Sequence, residues 1–231
     1  MFREITITEG KYEIKGHLYL PETPKSWILF AHGSGSSRLS KRNNWVAKEL
    51  HAHGFATLLF DLLSPEEEDA YVNRFNIPLL TERLLEATAW LIKSEYYHHE
   101  NIGYFGASTG AAAALMASVE ADESWPIYAV VSRGGRPDLA GEIILSRVEV
   151  PTLLIVGSHD EEVIKLNEWA SREIYNSKMV LVPGATHLFE EPGALEEVAR
   201  LASDWFLIQI ERWVARNKNH DISGLNSSMK S

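Results

Sequence analysis

Hydrophobic and polar positions alternate over the first twenty residues of the chain. The alternation covers residues 5–7 and 12–20, with turn-forming residues at 8–11 between the two stretches. Such alternation is typical of strands that bury only one face. The pattern therefore predicts an antiparallel β-hairpin at the amino terminus, with one face exposed to water.

From residue 27 onward, short continuous apolar runs replace the alternation. They lie at 27–30, 56–60, 102–105, 127–131, 152–156 and 179–182. Runs of this kind are typical of strands that are buried on both faces, as in a parallel sheet. Segments with apolar residues at helical spacing separate them, at 42–53, 77–93, 108–121, 161–175 and 194–216. The sequence therefore predicts an α/β protein with a mostly parallel, doubly wound sheet of about eight strands.

The length of 231 residues fits one such domain, which we expect to cover residues 1–216. The last residues, 217–231, are polar and rich in serine. Terminal segments of this composition are usually loosely held. The alternative is an arm that contacts a neighbouring chain, which would make the protein a homodimer.

Charge and composition limit the classes of partner and cofactor that the protein can have. The net charge of -10 argues against nucleic acid or an anionic membrane as a main partner. No apolar stretch approaches the roughly 18 residues that span a bilayer, and no signal peptide is recognisable at the start, so we expect a cytoplasmic protein. The chain has no cysteine, which excludes disulfides, thiolate metal sites and a cysteine nucleophile. Because no ligand spacing for a metal appears either, we expect no metal and no cofactor.

Ser108 is the strongest candidate for chemistry. It stands in Gly106-Ala107-Ser108-Thr109-Gly110, after a predicted strand and before an alanine-rich predicted helix. A G-x-S-x-G motif in this strand–turn–helix context is the nucleophile elbow, which lifts the serine above the sheet at a helix N-terminus. The alternative is a serine that merely caps the helix.

A serine hydroxyl needs a base, and the base needs an orienting acid. In this motif's fold the order along the chain is serine, acid, histidine. His187 follows the last predicted strand and precedes the last helix, and Asp160 follows the strand at 152–156. The alternatives are a surface-loop role for His187, a capping role for Asp160, and Glu161 or Glu162 as the acid.

A glycine-containing run at 30–37 follows the first parallel strand, where an oxyanion hole belongs in this arrangement. Two backbone N–H groups must point at one oxygen, and we assign them to Ser34 and to Thr109, the residue after the nucleophile. The alternatives are a glycine-rich turn without catalytic part or a phosphate-binding loop. The run matches neither G-x-G-x-x-G nor a Walker motif.

These elements, in this order, resemble the α/β-hydrolase superfamily over residues 1–216. Within it the chain resembles the dienelactone hydrolase family, in its single-domain build without a lid, and more narrowly the members that some genomes fuse to a phosphoribosyltransferase. The carrying segments lie at 32–38, 42–43, 59–63, 106–110 and 132–138. Dienelactone hydrolases use a cysteine where Ser108 stands. The resemblance therefore implies the fold and a Ser108–His187–Asp160 triad, and ester chemistry rather than the dienelactone reaction.

The surroundings of the site give expectations about specificity. The connection at 132–150 is too short for a large lid, so we expect an open, shallow site for small or flexible acyl groups. The acidic run at 64–69 is either a solvated loop or part of a segment, 63–77, that folds over the pocket. Arg38, Arg133 and Arg136 lie in loops at the same edge. They either have a structural role, in which they pair with the acidic run at 66–69 or hold carbonyls, or they clamp a substrate carboxylate or phosphate.

The sequence thus predicts a hydrolase that cleaves a small-molecule carboxylic ester, thioester or lactone with water through an acyl-enzyme. An acyltransferase would use the same residues. A non-catalytic small-molecule binding protein on the same fold is the alternative from another class, and a metal-dependent hydrolase is the weakest candidate.

Overall fold

One eight-stranded sheet runs through the computed structural model, which describes residues 1–9 and 11–228, with side chains to residue 216. The strands lie in the order β1-β2-β4-β3-β5-β6-β7-β8. β1 pairs antiparallel with β2, β2 pairs antiparallel with β4, and all other neighbours are parallel. The predicted hairpin and mostly parallel sheet are therefore confirmed. The strands are β1 (Phe2–Ile7), β2 (Ile14–Tyr19), β3 (Trp27–Ala31), β4 (Ala56–Phe60), β5 (Ile102–Ala107), β6 (Ile127–Arg133), β7 (Thr152–Gly157) and β8 (Ser177–Val182).

Helices cover both faces of the sheet, and most of the long ones lie within a few residues of their predicted positions. They are α1 (Lys41–Ala52), α2 (Pro65–Glu68), α3 (Ile77–Lys93), α4 (Thr109–Glu120), α5 (Glu142–Leu145), α6 (Glu161–Glu173) and α7 (Ala194–Ser228). Two 3₁₀ helices, Tyr71–Phe75 and Pro137–Ala140, lie in the loops after β4 and β6. Side-chain caps set two of the starts, since Ser40 accepts from the Asn43 N–H before α1 and Asn76 accepts from the Leu79 N–H in α3.

The pleat of the strands sorts the apolar residues into two cores. On β3, Trp27 and Leu29 face the core under α3 and α4, while Ile28 and Phe30 face the core under α1 and α7. This two-sided burial explains why the central strands are continuously apolar in sequence. β8 differs from its prediction as a fully buried strand. It lies at the edge of the sheet, and Val182 alone of its six residues is buried.

The last helix is longer than predicted. It runs from Ala194 to Ser228, whereas the apolar periodicity ends at residue 216. The side chains of residues 217–228 and the whole of 229–231 lie outside the described part of the chain. The expectation of a loosely held tail, or of an arm to a neighbouring chain, concerns those residues and stays a prediction. Among the described residues, no helix is long and apolar enough to cross a membrane.

Candidate active site

Ser108 sits at the junction of β5 and α4 in a backbone conformation that side chains rarely adopt, with φ 51° and ψ -121°. Two glycines make the turn sterically feasible. A Cβ at Gly106 would lie 2.4 Å from Ala111 Cα, and one at Gly110 would lie 2.2 Å from Ala31 O. Strained residues of this kind persist only where the surroundings hold them, and they cluster at functional sites. The strain weakens the interpretation of Ser108 as an ordinary helix cap.

Backbone hydrogen bonds hold this turn in place. The Ser108 N–H donates to the Arg133 carbonyl at the end of β6, over 3.3 Å. The Ser108 carbonyl accepts from the Ala111 N–H at 3.0 Å and from the Arg136 N–H at 3.1 Å. The backbone of Arg133 and Arg136, at the end of β6 and in the loop after it, therefore helps to fix the position of the elbow.

Asp160 and His187 meet at the same edge of the sheet, from the loops after β7 and β8. His187 Nδ1 lies 2.7 Å from Asp160 Oδ2, which makes Nδ1 the protonated nitrogen and leaves Nε2 as a proton acceptor. Asp160 precedes α6, but its carboxylate makes no capping bond to that helix, all of whose residues are described. Its carboxylate is therefore engaged with His187 and not with the helix. Glu161 and Glu162 are exposed residues of the first turn of α6.

Gly134 lies between the elbow and His187. A Cβ at this position would be 3.2 Å from His187 O and 3.6 Å from His187 Cε1, and its φ of 51° favours glycine. Between the two described side chains of Ser108 and His187 there is no hydrogen bond. In free enzymes this contact is often long and tightens only when substrate binds.

The loop after β3 lies directly against the serine. A Cβ at Gly33 would be 3.0 Å from Ser108 Cβ and 3.7 Å from Ser108 Oγ. The Ser36 N–H donates to Gly33 O at 3.1 Å and closes a turn around Ser34 and Gly35. Thr109 is the first residue of α4, and the first N–H groups of a helix have no partner inside it. Both assigned amides therefore belong to backbone that borders Ser108.

His32 is a site residue for which the sequence analysis proposed no role. Its Nε2 accepts from the Leu62 N–H at 2.9 Å, so Nδ1 carries the proton and donates to Gly33 O at 3.0 Å. Burial lowers the pKa of His32 below its usual value, and the neighbouring Gly33 carbonyl and the Asp61 carboxylate oppose that shift only in part. A neutral imidazole thus ties the loop after β3 to the loop after β4. The sequence feature that could have identified His32 as a site residue is its position directly after a buried strand.

Arg38 and Arg136 are engaged with carboxylates outside the acidic run. Arg38 Nη1 lies 2.5 Å from Asp61 Oδ2, and its backbone N–H donates to the other oxygen at 2.8 Å. Arg136 forms a two-point contact with Asp138, at 2.9 Å and 2.8 Å. The predicted pairing with residues 66–69 is therefore wrong for both, because each arginine has an acid closer in the fold.

Arg133 differs from the other two. Only 7% of it is exposed, and its guanidinium donates to Asn43 Oδ1 at 3.2 Å and lies 5.8 Å above the Phe189 ring. Within the described part of the chain, its Nε has no hydrogen-bond partner and no carboxylate pairs with it. Burial, together with the charge of Arg42, lowers its pKa to about 10. The predicted pairing with the acidic run is wrong here as well.

The acidic run belongs to a folded segment against the site. Glu67 pairs at 2.5 Å with Arg83 of α3, whose side chain is 5% exposed, and Glu68 pairs with Arg74. Glu68 and Arg74 also line a small cavity together with residues 32–35 of the loop that borders Ser108. Glu67 and Glu68 are thus held by ion pairs, whereas Glu66 and Asp69 are exposed to solvent.

The described residues place no large cover over the site. Between β6 and β7, all of whose residues are described, the chain forms only the 3₁₀ helix Pro137–Ala140 and the short helix α5. The His187 side chain is 39% exposed. A cavity of about 750 Å³ lies at the opposite edge of the sheet, near Ile127 and Pro151 at the beginnings of β6 and β7, and takes no part in this site.

Comparison with known proteins gives relatives over most of the chain. No protein-family model matches it. Two proteins of Mycobacterium tuberculosis, from strains CDC 1551 and H37Rv, are each 54% identical over 205 residues, which cover 88% of this chain and 46% of the relative. Both carry the provisional name of phosphoribosyl transferase. The chain thus spans about half the length of these curated relatives.

Solved structures match over nearly their full length. The crystal structure of a dienelactone hydrolase from Anabaena variabilis is 48% identical, with a TM-score of 0.85, and the match covers 90% of this chain and 98% of that one. Est1E from Butyrivibrio proteoclasticus matches with a TM-score of 0.77 over 90% of this chain and 99% of its own, at 17% identity, and so shares the fold.

Proposed function

Because the chain belongs to the dienelactone hydrolase family of α/β hydrolases, we propose that it is a serine hydrolase that cleaves a small carboxylic ester through an acyl-enzyme. The observation that carries the proposal is the strained φ of Ser108 at the same sheet edge as the hydrogen-bonded Asp160–His187 pair. A strained serine and an oriented imidazole together match the parts of a nucleophile and its base.

The proposed reaction uses each residue in one role. Ser108 Oγ attacks the ester carbonyl while His187 Nε2 takes its proton, and the Asp160 carboxylate holds the imidazole and stabilises its cation. The alcohol leaves with the proton that His187 returns. Water then attacks the acyl group by the same route and releases the acid.

The oxyanion that forms on the carbonyl needs donors already aimed at it. We propose that the N–H groups of Ser34 and Thr109 supply them, because both belong to the backbone that borders Ser108. The positive end of the α4 dipole also stabilises the negative charge of the oxyanion. Loss of one such donor typically costs roughly 100- to 1000-fold in rate.

Hydrolysis is favoured over acyl transfer by the exposure of the histidine. A side chain that is 39% exposed is within reach of bulk water, whereas an acyltransferase must keep water from its acyl-enzyme. Thioesters and lactones would use the same residues. The described residues form the hydrolase fold, so we make no proposal of phosphoribosyl transfer for them.

A fluorophosphonate probe tests the proposal. We expect covalent labelling of Ser108 and hydrolysis of p-nitrophenyl acetate, with labelling abolished and kcat lowered by about 10⁴-fold or more in Ser108→Ala. Ser118→Ala is the matched control, because this serine lies on the same helix α4, away from the elbow, and its hydroxyl donates to the Leu115 carbonyl. A folded protein that neither reacts with the probe nor turns over any ester would instead support a binding protein on this fold.

A further inference from the structure

Three large apolar side chains stand exposed within one short segment. In the 3₁₀ helix Tyr71–Phe75, Tyr71 is 68% exposed, Val72 is 71% exposed and Phe75 is 46% exposed. We call these three residues the apolar triplet. Single exposed apolar residues are ordinary in proteins, whereas a group of them in one segment marks a binding surface.

The apolar triplet is held in a fixed geometry. The Tyr71 and Phe75 rings pack with centroids 5.6 Å apart, and the Arg74 guanidinium lies 5.4 Å above the Tyr71 ring. Arg74 is in turn paired with Glu68, and the Asn73 side chain donates to Glu67 O at 2.8 Å. The segment therefore presents its apolar side chains on a preorganised support.

The segment Tyr71–Phe75 lies next to the loop that borders Ser108. Arg74 lines the small cavity behind residues 32–35, and its Nη1 would lie 3.8 Å from a Cβ at Gly35. Two residues earlier on that loop, Gly33 contacts Ser108. Arg74 and residues 33–35 therefore lie between the apolar triplet and the elbow at Ser108.

We propose that the apolar triplet binds the hydrocarbon part of the ester while Ser108 attacks its carbonyl. The inference rests on the proposed function, because the ester bound there is the one that Ser108 cleaves. An apolar group that settles on the triplet removes both surfaces from water, and each methylene that does so adds to the affinity. The enzyme therefore discriminates esters by the length of one chain, on either the acyl or the alcohol side.

A chain-length series tests this. For the wild type and for Tyr71→Ser/Val72→Ser, kcat/KM is measured on p-nitrophenyl esters from acetate to hexanoate and on acetates of alcohols from ethanol to hexanol. We expect the wild type to favour the long member of one series, and the variant to lose about tenfold of that long-to-short ratio, because its rate falls more for the long chains than for the short ones. The series that responds identifies the side of the ester that the triplet binds.

Tyr175→Ser/Val214→Ser is the matched control. It removes the same two residue types from exposed positions, 99% and 41% exposed, away from the loops that carry Ser108 and His187. We expect it to leave the ratio unchanged. The rates at which short- and long-chain alkyl fluorophosphonates inactivate the two variants give a second readout that needs no turnover.

The outcomes separate the two proposals. If Ser108 reacts with fluorophosphonates but the long-to-short ratios of the triplet variant equal those of the wild type, this inference alone is wrong. If those ratios are equal and the variant has a lower mass in sedimentation, the triplet is a contact between copies of the chain, which also overturns it. If Ser108 never reacts, the proposed function fails and this inference fails with it.

Discussion

At the scale of single residues, Arg133 is the least compensated charge near the site. A buried guanidinium usually has a carboxylate partner, because an unpaired buried charge is costly. Here the partners are the Asn43 amide oxygen and the Phe189 ring, and Arg42 adds a second positive charge. With a pKa of about 10, Arg133 is still cationic at neutral pH. Of the three arginines, it is the one that we propose to attract an anionic group of the substrate.

The variant Arg133→Ala separates substrate binding from positioning. If Arg133 binds an anion, kcat/KM for a succinate half-ester should fall about 10- to 100-fold more than kcat/KM for the neutral acetate, because a charge-assisted hydrogen bond is lost. Steady-state kinetics on the two p-nitrophenyl esters measure this. Arg136→Ala, which removes an arginine already paired with Asp138, should lower both equally. Equal losses in Arg133→Ala would mean that it acts only through Phe189, on the loop of His187.

At the scale of elements, long periodic segments were predictable and short ones were not. The buried runs predicted the central strands, and the positions of Ser108, Asp160 and His187 after the ends of three predicted strands indicated that they share one edge of the sheet. α2, α5 and the two 3₁₀ helices have four or five residues each, too few to show a periodicity. The ion pair between Glu67 and Arg83 was also out of reach, because the packing of α3 brings the two together.

The elbow itself can be tested as an element. In Gly110→Ala the new Cβ would meet the Ala31 carbonyl at 2.2 Å, so α4 or β3 must shift. We expect the free energy of unfolding in urea to fall by about 1–3 kcal/mol, and fluorophosphonate labelling of Ser108 to slow. The control is Gly141→Ala, where φ is 81° and the described neighbours leave the Cβ free. It should cost the strain of a backbone conformation that glycine alone adopts readily, about 1–3 kcal/mol, with labelling unchanged. Labelling of Ser108 that slows as much in Gly141→Ala as in Gly110→Ala would contradict this account of the turn.

At the scale of the whole molecule, the site is a set of loops that side chains tie together across the sheet edge. Each tie joins two segments that are distant in sequence. The ties are Arg38–Asp61, Arg42–Glu190, Arg83–Glu67 and the hydrogen bond from the Leu62 N–H to His32 Nε2. Loss of one tie should therefore affect both the stability of the fold and the geometry at Ser108.

His32 makes the stability of the whole molecule depend on pH. Its pKa in the folded protein is below the value of about 6.5 that it has when unfolded, so the unfolded chain takes up the proton first. The stabilisation is complete above about pH 6.5 and is lost as the pH falls below it, by at most about 1.4 kcal/mol per pH unit from this group. Urea unfolding between pH 8 and pH 5 measures the fall. In His32→Gln, which keeps a donor and an acceptor but does not titrate, the fall should be about 1 kcal/mol smaller. An equal fall in the wild type and His32→Gln would show that the tie between the loops after β3 and β4 does not depend on a neutral imidazole.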